Sequence, residues 1–439
     1  MAYTIIALLL LVGVTAYIYT RHSQNVLVAS DKAALGTNPP AEANSPVPVN
    51  PPAASPPSVA SSPEADEDIS TADAAKRGSE ALQRRDFAEA LKWFRRAANK
   101  GDPNSQTQIG LLYEGGLGVE KNPEEAMRWF RLAADLGYAE AEAQIGFLYQ
   151  NGLGVQKDPQ TACAWYQKAA DKNYSMAQIY LGFCYAYGLG ASKDITKAVE
   201  LFRKAADQGD VMAEATLGVL YVVGNGVSKD YATAMQLFRK AADKGNAFAM
   251  NQVGMMFMYG FGVTVDYPEA MRWFQKSIDF GNLAANTNVG VLYVNGWGVT
   301  KDYAEALRRF RIAANSNDNS GQYQLGLLYK NGWGVPVDFK EAMNWFRKSS
   351  ETSFAPALNE IGVLYGNGLG VPVNYSEAMR WYHLAADQNN ASAMANIGVL
   401  YHYGQGVTKD DNEARRWFQR SADLGNPDAK GWSMQLSGN

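Results

Sequence analysis

The sequence is poor in the residues that most often carry chemistry. Among 439 residues there are two cysteines, Cys163 and Cys184, and three histidines, His22, His383 and His402. So few thiols do not identify a redox compartment. The histidines form no His-Glu-x-x-His motif, and neither a Walker loop nor Ser-x-x-Lys occurs, so the common metal, nucleotide and acyl-transfer signatures are missing. Positive charge is not in excess either. The net charge is −4, it is spread along the chain, and no long basic face appears, which argues against nucleic-acid binding. No catalytic residue, metal site, cofactor or small-molecule substrate is expected.

What the sequence does contain is periodicity. The pattern beginning Ile109-Gly110-Leu111-Leu112-Tyr113 recurs every 36 residues, nine times, the last at Ile397. A period held this strictly indicates a stack of supersecondary units rather than one globular core. Glycine fills the second slot of every copy, from Gly110 to Gly398, and an aromatic follows three residues later, from Tyr113 to Tyr401. With the leading Ile, Leu or Val this is one apolar stripe of a helix. A glycine inside a helix costs about 1 kcal/mol against alanine, so these glycines are expected to admit a neighbouring helix at close range.

Gly-x-Gly follows in each copy and stops that helix. An Asp or Asn comes next, from Asn122 to Asp410, as the N-cap of a second helix. In six copies a Glu three residues later (Glu125, Glu269, Glu305, Glu341, Glu377, Glu413) predicts a reciprocal capping box. The second helix carries an alanine row, Ala126 to Ala414, and four residues on an aromatic row, Phe130 to Phe418. Each unit therefore reads as helix, glycine turn, helix.

This pattern, A-x-x-x-[IL]-G-x-x-Y-x-x-G-x-G-V-x-x-[DN]-x-x-x-A-x-x-[WL]-[FY]-x-x-A-A, resembles the Sel-one-like repeat (SLR) family, a sibling of the tetratricopeptide repeat (TPR). The resemblance implies an all-α fold, an α/α solenoid forming a right-handed superhelix, and a role in holding other proteins rather than in catalysis. Some members of the family bridge repeats with disulfides, but from a cysteine pair in most repeats. Here Cys163 sits in a row otherwise filled by residues such as Met127 and Met235, and Cys184 replaces leucines such as Leu148. Both are therefore expected as buried apolar side chains, with a disulfide between adjacent repeats as the alternative.

The expected organisation is a transmembrane anchor at 1–20, a linker at 21–70, a TPR-like capping repeat at 71–108, nine repeats at 109–432 and a tail at 433–439. Residues 3–20 carry no charge and just reach the length of a membrane span. A cleaved signal peptide is the rival reading. Arg21, His22 and Lys32 place the solenoid in the cytoplasm by the positive-inside rule, with export as the alternative. Nine of the seventeen prolines lie between Gly36 and Ser70, a composition expected to give a disordered or semi-extended spacer. Beyond the last repeat, Pro427 to Met434 is expected to form a capping helix whose Trp432 and Met434 cover the final aromatic row.

By analogy with TPR arrays, the first helix of each repeat should line a binding groove. On that mapping Met212, Val222, Val223, Phe248, Met258, Tyr259 and Val294 make its apolar centre, and Asn295, Asn331 and Asn367 make an amide row that would bind an extended backbone. The expected function is a membrane-anchored, non-enzymatic scaffold holding a peptide or protein partner. The alternative is an exported envelope protein contacting cell-wall glycan or a host protein through the Asn/Tyr rows and the Gly-Trp-Gly turns at Trp297 and Trp333.

Overall fold

The computed structural model describes residues 69–436. The expected anchor and spacer, apart from Ile69 and Ser70, lie outside these residues, as does the end of the tail. No helix among the described residues is long and apolar enough to cross a membrane. All regular structure among them is helical, in 21 helices that run as ten antiparallel hairpins and one final helix. Their order is α1 (Thr71–Gln83), α2 (Phe87–Ala98), α3 (Pro103–Gly115), α4 (Pro123–Asp135), α5 (Ala139–Asn151), α6 (Pro159–Asp171) and α7 (Ser175–Tyr187). Next come α8 (Ile195–Asp207), α9 (Val211–Val223), α10 (Tyr231–Asp243), α11 (Ala247–Tyr259), α12 (Tyr267–Asp279), α13 (Ala285–Asn295) and α14 (Tyr303–Asn315). The last are α15 (Asn319–Asn331), α16 (Phe339–Ser350), α17 (Ala355–Asn367), α18 (Tyr375–Ala386), α19 (Ala391–Tyr403), α20 (Asp411–Asp423) and α21 (Pro427–Gln435). Odd-numbered helices up to α19 are the first of each hairpin and even-numbered ones the second. Two compact units divide between Ala205 and Ala206.

The glycine and aromatic rows form one device. A Cβ placed on Gly110 would stand 2.4 Å from the ring of Phe130, and one on Gly290 would stand 2.5 Å from that of Phe310. The glycines thus admit the partner helix's aromatic ring. Phe130, Phe238, Phe274, Phe310, Phe346 and Phe418 are 0 % exposed as a result. Burying a phenyl ring of this size contributes more than the roughly 1 kcal/mol the helix glycine costs. Gly78 stands in the same relation to Phe94, although its loop is four residues shorter.

The two glycines of each turn do different work. The first closes the preceding helix in the left-handed region, as Gly152 does at φ 70° with its N–H on the Leu148 carbonyl. The second seats the turn on the preceding hairpin: a Cβ on Gly190 would fall 2.0 Å from the carbonyl oxygen of Pro159.

Every N-cap in the row accepts from its helix, as Asn122 Oδ1 does from the Glu125 N–H at 2.9 Å and Asp194 Oδ1 from that of Lys197 at 3.1 Å. The reciprocal half of the capping box does not form. Each cap N–H donates instead to the carbonyl of the aromatic nine residues earlier, from Asn122 to Tyr113 through Asp410 to Tyr401, at 2.8–3.1 Å. This bond closes the glycine turn and leaves the Glu nothing to accept. Glu125 and Glu269 turn to the indole Nε1 of Trp129 (3.0 Å) and Trp273 (2.8 Å). Glu305 takes Arg308 and Arg309 at 2.6–2.8 Å, which hold its carboxyl down at about 2.

At the C-terminal end Trp432 of α21 stacks on Phe418, with centroids 5.6 Å apart. Met434 does not join it and is 63 % exposed. Cys163 and Cys184 form a disulfide between α6 and α7, the alternative to the free thiols expected from their rows. Closing a loop of 21 residues removes chain entropy worth about 3 kcal/mol.

Candidate docking face

The last two residues of each first helix stand about 100° apart around its axis, and in α9 and α11 the hairpin buries one of them. Val222 and Met258 are 7 % and 2 % exposed, whereas Val223 and Tyr259, one residue on, are 36 % and 37 % exposed. Met212 is buried as well. Three of the seven apolar positions expected in the groove, Met212, Val222 and Met258, are therefore core residues, and Val222 and Met258 lie one turn beyond the glycines that face the second helix. Phe248 and Val294 are half-buried. Of the seven, Val223 and Tyr259 remain outward, at the same register on α9 and α11.

Tyr259 is held in place from below. Its ring stacks on Phe261 at 5.7 Å, and Phe261 in turn stacks on Tyr231 at 5.3 Å. Desolvation by burial raises the Tyr259 hydroxyl above its ordinary range.

Asn295, Asn331 and Asn367 are exposed, but each has spent one donor. Their Nδ2 groups donate to the carbonyls of Val291, Leu327 and Val363, four residues back, at 2.8–2.9 Å. Those carbonyls already accept from the helix's own i→i−4 ladder, so each side-chain amide adds a second donor to a paired acceptor. The amide row thus folds back on its own helices through Nδ2 and keeps Oδ1 as its unused acceptor. Between first helices, Asn288 donates to Asn251 at 2.9 Å, Asn396 to Asn359 at 3.0 Å, and Lys330 pairs with Glu360. These polar groups satisfy one another.

The Gly-Trp-Gly turns are repeat-to-repeat plugs. Trp297 stacks on Tyr267 at 5.2 Å and Trp333 on Tyr303 at 6.0 Å, so one face of each indole is covered. The two histidines among the described residues are likewise engaged: His402 Nδ1 lies 2.6 Å from Asp411 Oδ1, and His383 packs edge-on against Trp417. Among the described residues no group of three or more His, Cys, Asp or Glu could hold a metal ion.

In the first unit, a cavity of about 150 Å³ opens between α5 and α7. Its walls are Phe147, Pro159, Ala162, Phe183 and Leu189, and its polar lining includes Gln150 and Asn151. One of the lining side chains, Gln150, is held by Tyr166, which stands where most repeats have Phe. Its hydroxyl donates to Gln150 Oε1 at 2.8 Å.

A scan of family models matches the Sel1 repeat in ten segments, 76–102, 103–138, 139–174, 175–210, 211–246, 247–282, 283–318, 319–351, 355–390 and 391–426. The chain belongs to the Sel1 repeat family. Most matched segments start at or beside the first residue of a first helix, and the hairpin α1–α2 supplies a tenth Sel1 segment. Among solved structures, the chain is similar to a protective antigen of uropathogenic Escherichia coli with an SLR fold, at 31 % identity and a TM-score of 0.54, covering 84 % of this chain and 79 % of that one. It is also similar to a Sel1 repeat protein of Oxalobacter formigenes, at 32 % identity and a TM-score of 0.51, covering 55 % of this chain and 96 % of that one. Among curated proteins no match is found. Sel1 repeat proteins generally serve as scaffolds for protein–protein interaction, and the repeat is generally a non-enzymatic fold.

Proposed function

We propose that this Sel1 repeat protein is a scaffold that docks a protein or peptide partner on its first-helix face, centred on Val223 and Tyr259. In the same reading residues 3–20 anchor it to a membrane and the proline-rich segment spaces the repeats from the bilayer. The observation that carries the docking surface is the exposure of Val223 and Tyr259 at one register position, beside Asn295, Asn331 and Asn367 with unused acceptors. An apolar patch rimmed by polar groups is the common signature of an interaction site.

The test is Val223→Glu with Tyr259→Glu, compared with the unaltered protein by quantitative capture from membranes of the source cells. Both side chains are exposed, so helicity by circular dichroism should hold. Recovery of the specific partner should fall at least about 30-fold, the loss expected when a hot spot worth 2 kcal/mol is removed. Unchanged recovery with intact helicity would remove this face from consideration.

A further inference from the structure

The cavity between α5 and α7 has a size and a chemistry that identify what fits it. At about 150 Å³ it has the volume of a cavity that accepts one benzene ring. Pockets for whole metabolites or cofactors are larger, roughly 300–1,000 Å³, so a ligand of that size would lie mostly outside. None of the lining residues is charged, which selects a neutral occupant. Leu189 lines the cavity while 53 % exposed, so the cavity reaches the surface.

The polar lining adds a second constraint. Tyr166 occupies Gln150 Oε1, which leaves the Nε2 hydrogens of Gln150 as donors. Asn151 gives its Nδ2 to the Phe147 carbonyl at 2.9 Å and so retains Oδ1 as an acceptor. A fixed donor beside a fixed acceptor, on consecutive residues, complements one peptide unit, which presents a carbonyl and an N–H.

We infer that this cavity is a binding site for a single aromatic side chain of an extended peptide, with the adjoining peptide bond held by Gln150 and Asn151. Tyr166 is the positioning residue, since its hydroxyl holds the Gln150 side chain through Oε1. The proposal rests on the reading of the protein as a scaffold, but it concerns α5–α7, apart from Val223 and Tyr259.

Sequence relationships within the chain supply variants that should fold. Trp297 and Trp333 fill the turn slot that Leu189 holds here, so Leu189→Trp should fill the cavity over Pro159 as they cover Tyr267 and Tyr303. Tyr166→Phe restores the residue that Phe130 and Phe202 place in neighbouring repeats. The probes are toluene and the capped peptide acetyl-Ala-Phe-Ala-amide, followed on the full chain by ligand-observed NMR. The peptide should bind about tenfold tighter than toluene, the factor that two neutral hydrogen bonds supply. Leu189→Trp should abolish both. Tyr166→Phe should erase the peptide's advantage and leave toluene unaffected. Peptide binding no tighter than toluene, binding that survives Leu189→Trp, an advantage that survives Tyr166→Phe, or no binding of either probe would overturn the proposal. Because this assay needs no cellular partner, its failure is distinct from a failure of capture through Val223 and Tyr259.

Discussion

Phe310→Ala should destabilise the hairpin α13–α14 by about 3–5 kcal/mol, the range for deleting a fully buried aromatic ring. The ring is 0 % exposed and lies directly over Gly290, so the vacated space cannot be filled by small adjustments. Gly290→Ala should cost about 1–3 kcal/mol by overpacking, despite alanine's better helix propensity, because the new methyl would meet the ring at 2.5 Å. The two changes together should cost less than their sum, since the added methyl occupies part of the space the ring leaves. Denaturation followed by hydrogen exchange at α13 and α14 reads all three, and local readout suits a repeat array whose units unfold semi-independently. Simple additivity would mean that the glycine and aromatic rows are not one device.

The second large effect concerns Glu214. Its side chain is 0 % exposed, and Oε1 accepts from both Lys240 and Lys244 at 2.8 Å. Lys244 also donates to the Gly209 carbonyl at 2.9 Å. Either lysine alone can balance the carboxylate, so each single alanine variant should cost about 1 kcal/mol. Removing both strands a buried charge and should cost about 3–5 kcal/mol. Adding Glu214→Met to the double variant should recover most of that loss, because Met250 occupies the equivalent position one repeat later, where Phe280 stands in the place that Lys244 takes just after α10. Denaturation midpoints of the four proteins decide it. Equal losses in the single and double variants would show that the lysines do not share the carboxylate.

How far the sequence foretells these features follows from the range of the interaction. The repeat, its helices and the N-caps depend on neighbours within a turn or two, and the rows of Gly110, Phe130 and Asn122 display them nine times over. The capping box was legible as residues but not as bonds. The competing acceptor for the Asp266 N–H, the Phe257 carbonyl, comes close only when the glycine turn folds. Whether Val222 or Val223 faces outward depends on how the second helix crosses the first, and a 100° step separates core from surface. Cys163 and Cys184 each looked like a substitute for Met or Leu in its own row. Only the packing of α6 on α7 shows that these two rows meet. The pairing of Glu142 with Lys172, at 2.8 Å, repeats in Glu214 with Lys244, and that 30-residue echo was readable in the chain without a structure.

The central claim is that the first-helix face, not the second, receives a partner. Its most direct test is a photo-crosslinking amino acid placed at Tyr259 on α11 or at the exposed Lys276 on α12 in the full chain, irradiated in the source cells. An adduct with one defined protein from position 259 and none from 276 is the predicted result. The same adduct from 276, with nothing from 259, would contradict it.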